Sequence, residues 1–454
     1  MKKNDDIKLT ITGLSSEGSG IGRDGEMVVF VEGAAVGDEL IAHIIKVKKR
    51  YAIGTIKELT KPSKDRILID CPVFKSCGGC SYRHISYTSE LEIKRQKIQD
   101  ALTRLGGIDI EVPPILHSEL IDGYRNKAQH PVGMDMHRNV ITGFYAKKSH
   151  RIISSTKCLL EPSDFEIILK AVQGYIFLSK IRAYDEQTHR GVLRNIYIRH
   201  AKATGELMVC LVINGDGIPQ KELLVKALKG CACGDKIKSI VINHNKVDTN
   251  VVLGKRCTIL YGRDHLEDEL CGLKFNISPL SFYQVNPLGT EILYGKAKEF
   301  AQLKSTDTVL DLYCGAGTIG LTMAKDCKQV IGVEIINEAI KSARENAKNN
   351  NIENARFICD DANGAAQTLI EEGIKPNVVV LDPPRKGCEV EVVQAVVKMN
   401  PERIVYVSCD PATLARDCAI FVEMGYGVNE VIGVDMFART VHVESVILMS
   451  KIEK

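Results

Sequence analysis

The hydrophobic pattern changes character along the chain. Between residues 7 and 60 apolar positions come in short runs, Ile7-Leu9-Ile11, Met27 to Val31, Leu40 to Ile44 and Ile53 to Ile56. Gly-rich turns separate them at Glu17 to Gly20, Asp24-Gly25 and Val36 to Asp38. Short strands with turn signals between them predict a small β-barrel. Residues 89–105 switch to helical spacing, with Leu91, Ile98, Leu102 and Leu105 on one face. Lys94, Arg95, Lys97 and Arg104 occupy the rest, and Ser89 and Glu92 are spaced as a capping box. Residues 107–275 are mixed, with strands expected at 195–199 and 207–213. From about 276, apolar strands at 308–312, 329–333, 355–358, 377–381 and 404–407 alternate with helical stretches. Gly433 and Val443 to Leu448 fall in or near two closing strands. That alternation predicts a doubly wound, Rossmann-like parallel sheet.

Three domains follow: residues 1–60, residues 61–275, and residues 276–454, with the helix at 89–105 expected to pack on the last. Charge adds an asymmetry. Residues 1–280 carry 42 Lys and Arg against 33 Asp and Glu, and residues 281–454 carry 18 against 24. A basic front and an acidic rear suggest that the front meets a polyanion. Lys46, Lys48, Lys49 and Arg50 beside Tyr51 have the makeup of a nucleic-acid surface or of a solvated charge run. Tyr124-Arg-Asn-Lys127 offers a similar basic and aromatic mixture. The start of the chain has no apolar run, and no stretch approaches the roughly 20 apolar residues of a membrane span. A soluble, cytoplasmic protein is expected, acting as a monomer. Its 15 cysteines, an odd number, do not suit a disulfide framework.

Candidate chemistry is concentrated in four places. Cys71, Cys77 and Cys80 put three thiols within ten residues, with Gly78 and Gly79 permitting a tight loop. Metal is expected there, and the spacing leaves zinc and an iron–sulfur cluster both open. The first strand of the parallel sheet runs into Asp311-Leu-Tyr-Cys-Gly-Ala-Gly317-Thr-Ile-Gly320, a GxGxxG fingerprint, and Glu334 ends the second strand. A nicotinamide or flavin site and an S-adenosylmethionine site compete for this pattern. The fourth strand ends in Asp382-Pro-Pro-Arg385, which favours a methyltransferase. An arginine, where amino methyltransferases carry an aromatic residue, points to carbon as the acceptor. The fifth strand leads into Cys409, then Asp410 and Pro411 as N-cap and first helical residue. A helix amino terminus lowers a thiol's pKa, so Cys409 reads as a reactive thiol. A buried structural cysteine is the competing reading.

These motifs together resemble the bacterial RNA (uracil-5-)-methyltransferases, in particular the branch acting on 23S ribosomal RNA, over nearly the whole chain. The resemblance implies a TRAM barrel at residues 7–60 and a [4Fe-4S] cluster on Cys71, Cys77, Cys80 and Cys158. It assigns Gln284, in Ser281 to Asn286, with Tyr313, Glu334 and Asp382, to S-adenosylmethionine. It makes Cys409 the nucleophile and Glu444 the general base. The expected reaction is methylation of carbon 5 of a uridine in 23S rRNA through a covalent cysteine adduct. A transfer-RNA uracil-5 methyltransferase is the alternative, and a non-catalytic RNA-binding iron–sulfur protein is a more distant one. The chain departs from the family at Ala438, usually proline, and at Ser81-Tyr-Arg-His84, and neither touches a catalytic position. Cys388, past the fourth strand, is expected in a helix.

Overall fold

In a computed structural model, which describes residues 1–452, the first apolar runs become six strands between Asp6 and Lys61. They form one curled sheet around Leu9, Val29, Val31, Leu40, Ala42 and Ile44. Strand Glu39–Val47 alternates as far as Ile44, so Leu40, Ala42 and Ile44 all turn inward. Its register against Tyr51–Lys61 slips at three places, and such bulges bend a sheet toward closure. Asp38, wholly buried at the barrel's foot, accepts from the Ala35 and Ser63 amides at 2.6 and 2.9 Å and from Arg66 Nε at 2.8 Å. This ties the barrel to the segment that follows.

The central region is built on a seven-stranded mixed sheet. Its order runs Ile152–Ser154, Val140–Tyr145, Lys127–Met134, Leu193–His200, Leu207–Ile213, Ile237–His244 and Arg256–Gly262. Helices Ser163–Ser179 and Lys221–Lys229 contribute Phe165, Leu169, Val172, Leu224 and Leu228 to the core it shares with them.

The carboxyl-terminal part is an eight-stranded sheet. Five strands run parallel in the order Ala355–Cys359, Gln329–Glu334, Thr308–Leu312, Val378–Leu381 and Arg403–Ser408. Glu444–Lys451 then lies antiparallel between Arg403–Ser408 and Tyr426–Asp435. The order reverses at Thr308–Leu312, and the crevice at the carboxyl ends beside such a reversal is where these sheets bind ligands.

Helix Tyr87–Arg104 differs from expectation at both ends. Ser86, not Ser89, is the N-cap, and its hydroxyl accepts from the Ser89 amide at 3.3 Å. Leu105 is the C-cap and is 62% exposed, so the apolar stripe stops at Leu102. Ile98 and Leu102 pack into the core of the eight-stranded sheet. Lys94 also faces inward, which charge patterning alone would not suggest. Its ammonium is 2.7 Å from Glu90 and 2.8 Å from Asp435, and all three side chains are buried. Two carboxylates and the Phe437 carbonyl compensate the charge that burial would otherwise make costly. Among the described residues no helix is long and apolar enough to cross a membrane.

Candidate active site

Strand Arg403–Ser408 is buried along its whole length and ends at Cys409. Asp410 caps the next helix, its Oδ1 accepting from the Ala412 and Thr413 amides at 2.9 and 3.2 Å, with Pro411 first in the helix. The antiparallel register pairs Ser408 with Ser445. Glu444 is thereby set beside Cys409, although 35 positions of sequence separate them. Asp382 and Arg385 follow the neighbouring strand Val378–Leu381 and complete the group.

The electrostatics correct one expectation. The helix terminus does not make Cys409 acidic: its thiol is pushed up to about 11, first by burial and then by the Glu444 and Asp382 carboxylates. The Arg385 guanidinium pulls the other way. A partial helix charge is smaller than the desolvation of a thiolate flanked by two carboxylates. Burial raises Glu444 to about 8, helped by Asp382 and opposed by Arg385. Burial alone raises Asp382 to about 7. Three acidic groups therefore share one low-dielectric corner with one guanidinium.

Two spaces flank this group. Cys409, Arg385, His442 and Lys97 line a groove of about 1090 Å³, whose far wall is the barrel loop Thr12–Glu17. On the other side Gln284, Tyr313 and Asp382 line a narrower pocket with Tyr294 and the loop Cys314–Ala316. Tyr313 has φ 66°, and Gly315 and Gly317 have φ 56° and 78°. A left-handed tyrosine is strained by about 1 kcal/mol, the kind of backbone tension that collects at functional sites. Glu334 accepts from the Gly315 amide at 3.2 Å and the Ile336 amide at 2.9 Å, which holds it at the pocket's rim. Asp311 is raised to about 7 by burial; one oxygen accepts from the Gly320 amide at 2.9 Å and the other has no partner. Asp382 in the pocket wall, with Glu334 and Asp311 close by, has no cation paired to it among the described residues, which suits a ligand that carries positive charge, as the sulfonium and ammonium of S-adenosylmethionine do.

Several residues hold the site through contacts that the sequence did not reveal. Asn126 donates to the Gln284 carbonyl at 2.9 Å, and Asn286 caps helix Pro287–Ala301 while donating to the Met436 carbonyl at 3.1 Å. The loop Asp435–His442 that leads to Glu444 is fastened from several sides. Tyr87 donates to Asp435 at 2.7 Å, Lys97 to the Val441 carbonyl at 3.0 Å, and Tyr124 to the Ala438 carbonyl at 3.1 Å. Glu90 accepts from the Arg439 amide at 2.7 Å. Charged and aromatic residues far apart in sequence carry no pattern until the sheet brings them together. Cys388 is not in a helix but in the turn before Val390–Met399, its amide donating to Asp417 at 2.7 Å.

The four cysteines Cys71, Cys77, Cys80 and Cys158 occupy one corner of the central region. Cys80 and Cys158 are packed with Tyr124, Leu160 and Ala438. Burial raises Cys77 and Cys80, with neighbouring thiolates adding to the rise. The Gly79 amide donates to Cys77 Sγ at 3.3 Å. Among the described residues no three His, Cys, Asp or Glu side chains stand at the spacing of a single bound metal ion. An all-thiol donor set is one that either zinc or an iron–sulfur cluster takes.

Fold and cleft define an S-adenosylmethionine-dependent RNA methyltransferase of the class I fold. A family model described as tRNA (Uracil-5-)-methyltransferase matches residues 241–452, and a TRAM domain model matches residues 3–57. An uncharacterized RNA methyltransferase of Clostridium tetani is 47% identical over 450 residues, 99% of this chain and 97% of its own. Another, of Halalkalibacterium halodurans, is 40% identical over 99% of this chain and 98% of its own. The solved structure of Pyrococcus abyssi tRNA (uracil-54, C5)-methyltransferase with S-adenosyl-L-homocysteine superposes at a TM-score of 0.78. It is 28% identical and covers 98% of this chain and 99% of that one. The chain belongs to the TRAM-containing RNA (uracil-5-)-methyltransferase family.

Proposed function

We propose that this protein methylates carbon 5 of a uridine in 23S rRNA by way of a covalent bond from Cys409. The observation that carries the reading is Glu444 beside Cys409, with Cys409 in the wall of the wide groove and Asp382, close to both, in the wall of the narrow pocket. Carbon 5 of uracil is a weak nucleophile. Addition of the Cys409 sulfur to carbon 6 turns the ring into an enolate and makes carbon 5 reactive. Arg385, whose guanidinium favours the ionised form of Cys409, assists that addition. S-adenosylmethionine, held by Gln284, Tyr313, Glu334 and Asp382, supplies the methyl group as an electrophilic sulfonium. Glu444 then removes the carbon 5 proton, and the electrons left behind expel the Cys409 thiolate from carbon 6. A carboxylate raised to about 8 is a stronger base than an ordinary one, which suits that role. The uridine must leave its stack to reach Cys409, and the groove beside it is large enough to admit it.

Cys71, Cys77, Cys80 and Cys158 hold a [4Fe-4S] cluster in this reading. It serves as a covalent staple, because the reaction contains no electron-transfer step. The barrel and the cysteines together favour ribosomal RNA, since the bacterial transfer-RNA enzymes of the resembled family typically lack both. The likeness to a protein named as a tRNA (uracil-54, C5)-methyltransferase along nearly its whole length favours transfer RNA as the second reading.

Mapping 5-methyluridine in both RNAs from cells lacking the gene separates the two substrates. Loss from 23S rRNA is expected, and loss from transfer RNA alone overturns it. Cys409→Ala should form no RNA adduct. Glu444→Gln should accumulate a methylated, covalently linked complex that survives a denaturing gel. If Cys409→Ala still cross-links, the nucleophile is wrongly assigned.

A further inference from the structure

The central region carries a second concavity, of about 560 Å³, that shares no residue with the Cys409 groove or the cofactor pocket. Three elements bound it: the end of helix Ser163–Ser179, the turn between strands Lys127–Met134 and Val140–Tyr145, and residues 181–191. Its lining includes Ile141, Ile176 and Phe177, and the Phe177 ring is 81% exposed. Arg138, Lys180, Arg182 and Arg190 line the same concavity, all exposed. Asp185 is the one carboxylate in the lining, and its Oδ1 is engaged by the Gln187 and Thr188 amides at 2.9 Å. Nearby acids are also taken: Glu186 by His150, and Asp135 by the His137 and Asn139 amides. Among the described residues none of the four cations makes an ion pair within 4.0 Å.

A solvated charge run puts neighbouring cations on one element and leaves no aromatic face among them. Here cations from three elements line one concavity with an exposed phenyl group. A ligand that matches must be a polyanion with flat apolar faces. Unpaired RNA offers both, whereas a duplex keeps its base faces stacked inside. We propose that this concavity is a second RNA-binding surface, which takes an unpaired stretch of the substrate with a base stacked on Phe177 and phosphates against Arg138, Lys180, Arg182 and Arg190. The proposal rests on the chain's acting on RNA. It adds an anchoring point remote from the target uridine, through which one RNA is preferred over another bearing the same local sequence.

The test measures binding, not methylation, with the full-length protein. A labelled unstructured oligoribonucleotide and its duplex are titrated at several salt concentrations against wild type, Phe177→Ala and the Arg138→Gln/Arg182→Gln/Arg190→Gln triple variant. Phe177→Ala should weaken the single strand about five-fold or more and leave the duplex nearly unchanged, since one base stacked on an aromatic ring is worth about 1–3 kcal/mol. The triple variant should lower the slope of log affinity against log salt by about 2, at roughly 0.7 for each phosphate that is no longer neutralised. S-adenosylmethionine affinity should stay at the wild-type value in both, which also reports intact folding. Unchanged single-strand affinity and slope overturn the proposal, as does an equal loss for duplex. A photo-cross-linking residue at position 177 that captures protein or a second copy of the chain instead of RNA overturns it too. Wild type that binds no RNA would refute the proposed function itself, whereas normal binding by the variants refutes only this surface.

Discussion

Glu444→Gln should make the protein more stable as well as inactive, and the gain should grow with pH. Burial raises the Glu444 carboxyl from its ordinary 4.5 to about 8. Below about pH 4.5 the group is neutral in both states and contributes nothing to the balance. Between 4.5 and 8 the unfolded chain releases the proton while the folded site holds it, so the unfolded state is favoured increasingly. At about 1.36 kcal/mol per unit, the wild type is weakened by roughly 3 kcal/mol at pH 7 and by 4–5 kcal/mol above pH 8. Glutamine removes the titration but leaves a buried amide, at about 1 kcal/mol if unpaired. The net gain at pH 7 is then about 2 kcal/mol, or roughly 4–8 °C in Tm for a unit the size of the methyltransferase part. Thermal unfolding followed by circular dichroism at pH 5, 7 and 8 measures it. The two proteins should nearly coincide at pH 5 and separate as pH rises. A gap that stays constant with pH, or a variant less stable at pH 8, would show that Glu444 is not held neutral in the fold and would remove the account of its basicity.

Single-turnover release of methylated RNA should rise with pH from about 6.5 to 9, as Glu444, raised to about 8, loses its proton and the thiol of Cys409, raised to about 11, begins to ionise. A flat profile would contradict both shifts. Lys94→Met leaves Glu90 and Asp435 buried together without their cation, and should cost about 3–5 kcal/mol in chemical unfolding. A loss under 1 kcal/mol would mean that the carboxylates reach water. Neutralising Lys46, Lys48, Lys49 and Arg50 should flatten the salt dependence of RNA binding and leave cofactor binding unchanged, and an unchanged slope would assign these charges to solvent. Anaerobic purification followed by metal analysis should find about four irons per chain, with loss on Cys158→Ala; one zinc and no iron would sink the cluster assignment.

What the sequence determined by itself was what depends on neighbours in the chain. Strand and helix periods over 308–407 follow from local alternation, and the strands formed within a residue or so of the expected bounds. The Asp410–Pro411 helix start is local too, because a carboxylate reaches amides two and three positions ahead. The family and its fold were legible for the same reason, since the motifs at 311–320, 382–385 and 409 are short and contiguous. Tertiary structure decided the chemistry of those motifs. Whether Cys409 is acidic depends on Glu444 and Asp382, which arrive from other strands and outweigh the helix terminus that sequence reveals. Lys94 and Lys97 read as surface charges until Asp435 and the Val441 carbonyl, more than 300 positions on, receive them. Phe177, Lys180 and Arg182 are close in sequence, but only the fold brings Arg138 and Arg190 to them. Charge and burial act through space at a few ångströms, and only the folded chain fixes which residues stand that close.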